Sequence, residues 1–163
     1  MLEDKIKYFA YGSNLNKTQM KKRGVEIYDS ELVKLPGWRL AFTYNSPNWG
    51  GGVLDIVPCG DGGLVEGVVY TIDEQGLKAL DFYEGRETRN DIEVGVYRRQ
   101  FKPVDRKQKW ESVLTYVVNR TYEYRLNNHF PPSKKYMDTV IEGAKEHGLN
   151  DEYLRKLEKI ETI

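Results

Sequence analysis

One stretch near the start of the chain, Tyr-Phe-Ala-Tyr-Gly-Ser-Asn-Leu at residues 8–15, constrains the fold more than any other. Residues 6–11 are rich in aromatic and β-favouring side chains, which predicts a short buried strand. Residues 16–22 have the straight-chain side chains of a helix, and a Gly-Ser-Asn turn joins the two elements. Asn14 or Asn16 can cap this helix, and Asn16 and Gln19 have the spacing of a capping box.

This predicted junction has the properties of an anion site. A turn that leads into a helix leaves main-chain N–H groups without helical partners, at the positive end of the helix dipole. The turn does not have the pattern of a phosphate loop, because it has one glycine and no lysine. A carboxylate or a developing oxyanion is therefore the better predicted ligand. The alternative is a turn that only connects two elements and binds nothing.

Composition and charge are those of an ordinary soluble protein, with 39% hydrophobic and 31% charged residues. The length of 163 residues predicts a single domain over residues 1–163. Lys and Arg together number 25, as do Asp and Glu, so no net charge favours nucleic acid or an anionic membrane as a partner. No apolar run approaches the roughly 20 residues of a membrane span. Residues 1–5 lack the layout of a signal peptide, so a cytoplasmic location is expected.

The rest of the chain is predicted to form strands joined by turns, followed by helices at the end. Apolar runs between turn residues predict a short strand plus a turn within residues 25–35, and strands at 38–44, 53–57, 64–72, 92–102 and 113–119. Short turns join most of them, so we expect an α+β fold with a small mixed, largely antiparallel β-barrel flanked by helices. Ser133 caps a helix predicted over residues 133–146, and a shorter helix follows from Asp151.

A helix in the middle of the chain ends at a carboxylate that breaks its pattern. Asp73 or Thr71 can cap this helix, and Leu77 and Leu80 form its inward stripe. The next position on that stripe is Glu84, just before the glycine that ends the helix. Burial and the helix C-terminus would raise its pKa from about 4.3, which suits a general base near neutral pH. The alternative is a glutamate at a frayed helix end that leans into water.

Six motifs are spread along nearly the whole chain: YFAYGSNL at 8–15, WGGG at 49–52, EGVVY at 66–70, LDFYEG at 80–85, PPSKKY at 131–136 and EGAKEHGL at 142–149. In this order they resemble the γ-glutamylcyclotransferase-like family. The last motif resembles the glutathione-pathway branch of that family in particular.

The resemblance implies a barrel with a substrate cavity at its mouth and no cofactor. It also implies an enzyme in which the α-amine of a γ-glutamyl group attacks its own γ-carbonyl, releasing 5-oxoproline and an amino acid or amine. Glu84 corresponds to the catalytic glutamate that relays the proton. The residues implied to bind the γ-glutamyl group or to lie near the cavity are Tyr11, Gly12, Ser13, Asn14, Leu15, Tyr116 and Tyr136.

Several alternatives stay open. Relatives with these motifs act on γ-glutamyl amino acids, γ-glutamyl amines, ε-lysyl conjugates or an acylated carrier protein, and segment 86–91 is either a lid or an ordinary loop. The same barrel could be a non-catalytic module that binds a small ligand, or a structural barrel whose Glu84 points into solvent. The expected partner is a small γ-glutamyl substrate, with neither nucleic acid nor membrane, and a homodimer stays open. Cys59 has no cationic neighbour in sequence, and the two histidines lack ligands at zinc spacing, so neither is assigned chemistry.

Overall fold

The computed structural model describes residues 5–60, 62–106, 109–119 and 128–163, and a five-stranded sheet lies at its centre. Across this sheet the strands are β2 (Asp29–Pro36), β5 (Leu64–Ile72), β1 (Ile6–Ala10), β9 (Lys109–Val118) and β8 (Tyr97–Arg106). All neighbouring pairs run antiparallel except β1 and β9, which run parallel. The predicted α+β fold with a mixed, largely antiparallel sheet is therefore confirmed.

Two hairpins and four helices complete the part of the chain that the structure describes. β3 (Trp38–Ser46) pairs with β4 (Gly51–Pro58), and β6 (Thr88–Arg89) pairs with β7 (Ile92–Glu93). The helices are α1 (Lys17–Lys22), α2 (Glu74–Tyr83), α3 (Lys134–His147) and α4 (Asp151–Glu158), and a 3-10 turn, Ser13–Leu15, precedes α1. Within the described ranges, no helix combines the length and the apolar character needed to cross a membrane.

The core lies on the central strands and the helices that cover them. β5 is buried along all but its first residue, whereas the outer strand β2 mixes buried and exposed positions. This difference is expected, because a central strand is covered on both faces. The fully buried side chains include Phe9, Leu15, Met20, Tyr70 and Leu80, which come from strands, from the 3-10 turn and from helices.

The predicted barrel is not confirmed, because the strands of the described residues form separate sheets and not one closed ladder. A buried side chain connects β4 to β9, the strand next to the edge of the central sheet. The buried Asp55 carboxylate accepts hydrogen bonds from Val118 N, at 3.1 Å, and from Thr43 Oγ1, at 2.9 Å. The β3–β4 hairpin is thus attached to β9 by a buried carboxylate.

The single strand predicted over residues 92–102 is wrong in its first part. It is divided into β7 and β8, and residues between them bond to the segment that follows α2. Val94 N donates to Glu87 O at 2.8 Å, and Val96 N donates to Gly85 O at 3.0 Å. These bonds occupy the main chain that a continuous strand would have offered to its neighbour.

Segment 86–91, predicted as a lid or a loop, contributes one strand and the turn of the β6–β7 hairpin. The turn residues Asn90 and Asp91 have φ angles of +50° and +64°. Positive φ at both central residues is what a two-residue hairpin turn of type I′ requires, and Asn and Asp tolerate it best after glycine.

Helix α3 holds the turn at the end of β1 in place. Ser133 caps the helix as predicted, accepting a hydrogen bond from Tyr136 N at 3.2 Å. The Tyr136 hydroxyl accepts a bond from Leu54 N of β4 at 2.9 Å, and Thr139 O accepts one from Asn16 Nδ2 at 3.2 Å. The first turns of α3 therefore link β4 to the chain that leads into α1.

Candidate active site

An open cavity of about 520 Å³ lies where β1 ends, which is a volume typical of small-molecule sites. It is bordered by the 3-10 turn, the ends of α1 and α2, strands of the five-stranded sheet and of the β3–β4 hairpin, and the start of α3. The predicted site residues that line it are Tyr11, Gly12, Ser13, Asn14, Glu84, Tyr116 and Tyr136. Leu15 does not line it, because its side chain is 0% exposed in the core.

The row of free main-chain amides predicted for the turn is shorter than expected. Leu15 N donates to Gly12 O at 3.0 Å, and Asn16 N donates to Ser13 O at 3.0 Å, so the 3-10 turn uses these two donors itself. Ser13 N faces the Tyr136 hydroxyl. The main-chain donors that remain as candidates to face a ligand are those of Gly12 and Asn14.

Glu84 lies at the C-terminus of α2, as the broken stripe predicts. Asp73 is the N-cap, accepting a hydrogen bond from Gly76 N, and both leucines of the stripe are buried. Glu84 keeps helical φ and ψ angles of −80° and −3°, and Gly85 follows with a φ of +66°. The Glu84 side chain is only 15% exposed. Burial raises the pKa of this carboxyl, in the predicted direction, while Arg23 and Asn14 act to lower it.

Asn14 connects the turn to the carboxylate. Its Nδ2 donates to Glu84 Oε1 and to the Tyr8 hydroxyl, both at 3.0 Å. Its Oδ1 accepts from Gln19 Nε2 and from Arg23 Nη1, again both at 3.0 Å. All four hydrogen bonds that a primary amide normally makes are thus formed, and the amide is 3% exposed. This network fixes Glu84 relative to the turn.

Three members of this network were missed by sequence reasoning: Tyr8, Gln19 and Arg23. Gln19 was assigned to a capping box, which is only half formed. Its main-chain N–H does donate to Asn16 Oδ1, at 3.1 Å, but its side chain bonds Ser13 Oγ at 2.7 Å and Asn14. Tyr8 is a buried strand residue by pattern, and nothing in the spacing shows that its hydroxyl faces Asn14.

The tyrosines around the cavity differ in where their hydroxyl protons go. The Tyr116 hydroxyl donates to Asp81 Oδ1 at 2.6 Å, and Arg99 pairs with the same carboxylate. Tyr97, which the sequence did not single out, also lines the cavity, and its hydroxyl donates to Leu54 O at 2.7 Å. By contrast, the Tyr136 hydroxyl accepts from Leu54 N, which leaves its own proton for a ligand. Burial raises the pKa of Tyr116, Tyr97 and Tyr136, so all three stay neutral hydrogen-bond donors.

The charges on the cavity wall are uneven. Among the described residues, Lys22, Arg23 and Lys135 line it together with one carboxylate, Glu84, whereas the whole chain has no net charge. An anionic ligand suits such a cavity. Within the described ranges, no group of three or more His, Cys, Asp or Glu side chains is arranged to hold a metal ion.

Comparison with known proteins points the same way. Residues 64–157 match the model of the AIG2-like family. The chain is 31% identical to the γ-glutamylcyclotransferase of Bos taurus, over 94% of its own length and 78% of the relative's. It is also 31% identical to that of Homo sapiens, over 98% and 80%. A solved structure of a γ-glutamyl cyclotransferase superposes with a TM-score of 0.77 at 27% identity, covering 98% of this chain and 90% of the other.

Proposed function

This chain belongs to the AIG2-like, γ-glutamylcyclotransferase family, and we propose that it cyclises a γ-glutamyl compound to 5-oxoproline with release of an amino acid or amine. One observation carries this proposal: Glu84 and the turn at residues 11–14 line the same cavity, and Asn14 of that turn donates a hydrogen bond to Glu84. An acid held out of water beside a set of main-chain and hydroxyl donors is the minimum that such a reaction needs.

Glu84 is proposed as the base and then the acid. The α-ammonium of the substrate first gives a proton to the carboxylate, and the amine attacks the γ-carbonyl carbon to close a five-membered ring. The bond from that carbon to the leaving nitrogen then breaks, and the proton held on Glu84 passes to the leaving nitrogen. The ring nitrogen loses a second proton as the lactam forms, and this proton also ends on the leaving nitrogen. The released amine is therefore an ammonium, and no water is consumed.

The remaining groups are proposed to fold the substrate and to steady its oxygen. Proximity within the substrate already favours ring closure, so the protein's task is orientation. The Gly12 and Asn14 amides and the free proton of the Tyr136 hydroxyl are the candidate donors to the γ-carbonyl oxygen or to the substrate carboxylate. Tyr116 is proposed to contribute its ring, because its hydroxyl proton is bonded to Asp81. A place in glutathione metabolism and in the cytoplasm goes with this proposal.

The direct test is release of 5-oxoproline from a panel of γ-glutamyl amino acids and γ-glutamyl amines. Glu84→Gln should lower kcat by about 10²–10⁴-fold, because it removes the general base while keeping the side-chain shape and the acceptor for Asn14. Glu74→Gln, an exposed change on the first turn of the same helix, is the control and should keep full activity. Activity retained in Glu84→Gln would remove Glu84 from the mechanism.

A second readout separates catalysis from mere binding. Glu84→Gln should still bind the substrate, measured by calorimetry, since Gln keeps an oxygen for Asn14. A wild-type chain that binds a γ-glutamyl compound without releasing 5-oxoproline would instead be a non-catalytic binding module. Because burial raises the pKa of Glu84, kcat/KM should increase as pH increases through that raised pKa, where the carboxylate becomes the ionised base.

A further inference from the structure

Arg23 lies at the end of α1, outside every motif that the sequence singles out, and its side chain reaches the carboxylate at the end of α2. The guanidinium Nη1 is 3.6 Å from Glu84 Oε1 and 3.0 Å from Asn14 Oδ1. The side chain is 14% exposed, and its guanidinium carbon lies 5.0 Å from the centre of the Tyr83 ring. Arg23 therefore contacts the proposed base, Glu84, and two of its neighbours, Asn14 and Tyr83.

We propose that Arg23 is a positioning residue for the proposed cyclisation, which orients the Asn14 amide and keeps the Glu84 carboxylate ionised and directed into the cavity. This inference rests on the proposed function for its kinetic consequences. Its structural part, the effect of Arg23 on Asn14 and Glu84, is measurable without turnover.

Arg23 helps to set the orientation of the Asn14 amide. An amide has similar shape at its oxygen and nitrogen ends, and only its partners decide which end faces a given side. Arg23 Nη1 and Gln19 Nε2 both donate to one end, which must therefore be the oxygen. The NH₂ end then faces Glu84 and the Tyr8 hydroxyl. Without the arginine, Gln19 would be the one donor left at the oxygen end of the amide.

Arg23 also places a positive charge beside Glu84. An opposite charge within about 4–6 Å favours the ionised form of a carboxyl group, and an arginine is always protonated. Within the described ranges, Arg23 is the cation that contacts Glu84, and the tyrosines that interact electrostatically with this carboxylate are neutral phenols: Tyr8 on β1, Tyr116 on β9, Tyr97 on β8, Tyr136 on α3, and Tyr11. Two further cations, Lys22 on α1 and Lys135 on α3, line the same cavity. Within the described residues, burial raises the pKa of Glu84, and the charge of Arg23 and the hydrogen bond from Asn14 act to lower it.

The backbone that carries Arg23 is held rigidly. Arg23 is the C-cap of α1 and is held by a closed helix end. Gly24 N donates to Lys21 O and Val25 N donates to Met20 O, both at 3.0 Å, which is the bond pattern of a Schellman motif. Met20 and Val25 are both buried. The backbone from which the guanidinium extends is therefore fixed, as positioning requires.

The test compares three variants with the wild type across pH. Arg23→Gln removes the charge, Arg23→Lys keeps the charge but not the planar fork, and Lys21→Gln removes an exposed charge from the same helix end without touching Glu84. In Arg23→Gln the acid limb of kcat/KM should move to higher pH by about one unit, with about a tenfold loss at pH values on that limb. Arg23→Lys should keep the wild-type acid limb with a reduced kcat, and Lys21→Gln should match the wild type.

A second measurement keeps the inference testable if turnover is not observed. In protein labelled with ¹³C at glutamate side-chain carboxyls, the Glu84 resonance, assigned by its loss in Glu84→Gln, should titrate at higher pH in Arg23→Gln than in wild type. Arg23→Met, which retains an unbranched stem, replaces Arg23→Gln if thermal unfolding shows that the latter is not folded. An unmoved titration and an unmoved acid limb in the folded variant would overturn the role of Arg23. Absence of 5-oxoproline from the wild type would overturn the proposed function instead.

Discussion

The ends of α1 and α2 are built in the same way and carry opposite charges. Each helix stops at a C-cap residue with helical angles, Arg23 in α1 and Glu84 in α2, and each cap is followed by a glycine of positive φ. In each, two main-chain bonds close the helix end: Gly85 N donates to Phe82 O and Arg86 N donates to Asp81 O, as in the corresponding bonds of α1. The two cap side chains meet across the cavity wall.

The difference between them lies in how each charge fits its helix. A cation at a helix C-terminus is favoured by the dipole, whereas an anion there is disfavoured by about 0.3–1 kcal/mol. Arg23 thus stabilises its own helix, and Glu84 does not. Glu84 is held in this unfavourable position by the partners supplied from the other helix end and from Asn14. The end of α1 thus stabilises an anion that the dipole of α2 disfavours. A residue that departs from local preferences in this way is expected at a functional site.

Asn14 contacts both Arg23 and Glu84, and of the changes at these two helix ends Asn14→Asp should reduce turnover most. The new carboxylate would face Glu84 at the present hydrogen-bond distance of 3.0 Å, and two carboxylates so close cannot both ionise. Arg23 would then pair with the new charge. Turnover at pH 7 should fall by about 10²-fold, with an acid limb moved to higher pH, measured as 5-oxoproline release.

The matched control is Asn150→Asp, at the N-cap of α4, where Asp caps as well as Asn does. This variant should keep wild-type activity and stability. If Asn14→Asp also kept its activity and its acid limb, the Asn14 bond to Glu84 would have no part in setting the state of the base.

Much of this arrangement was predictable where local rules carry it. Glu84 was found because a carboxylate replaced the next apolar residue on a helix stripe, and the turn was found because a glycine separates a strand from a helix. Arg23 gave no such signal, since a basic residue just before a glycine obeys every rule for a helix end. Its role depends on a contact with a residue 61 positions away in sequence, which periodicity does not report.

The same distinction explains the errors in the fold. Strand positions follow from composition and alternation, but the order of strands in a sheet depends on pairing between distant segments. The parallel placement of β9 beside β1 and the separate β3–β4 hairpin are of this kind, so the expected closure into a barrel did not follow. The amides of the turn were overcounted for a related reason, because the 3-10 turn bonded two of them within itself.

Gly24 and Gly85, which follow the two C-caps with positive φ, should have a smaller effect on turnover when they are substituted. A non-glycine residue in the left-handed region costs about 1–2 kcal/mol, so Gly24→Ala and Gly85→Ala should destabilise the protein equally in urea unfolding. An added Cβ meets nothing within 4 Å at Gly24 and only an ordinary contact with Val96, at 3.5 Å, at Gly85. Turnover should fall about tenfold in Gly85→Ala and less in Gly24→Ala, because only the former moves the proposed base directly. Equal losses of kcat would mean that the two ends act as one unit.

Lys135 supplies the smallest expected effect and separates action on the base from action on the substrate. It is an exposed cation on the cavity wall whose Nζ lies 6.0 Å from the centre of the Trp49 ring. We expect Lys135→Gln to increase KM by about two- to fivefold for a γ-glutamyl amino acid, the value of one exposed ion pair, with kcat and the acid limb unchanged. The matching γ-glutamyl amine, which lacks the leaving-group carboxylate, should show no change in KM.

Lys134→Gln is the control, since Lys134 pairs with Asp138 at 2.6 Å and does not line the cavity. A shift of the acid limb in Lys135→Gln would place this lysine with Arg23 as a group that acts on Glu84, whereas equal effects on both substrates would show that it does not contact the leaving group.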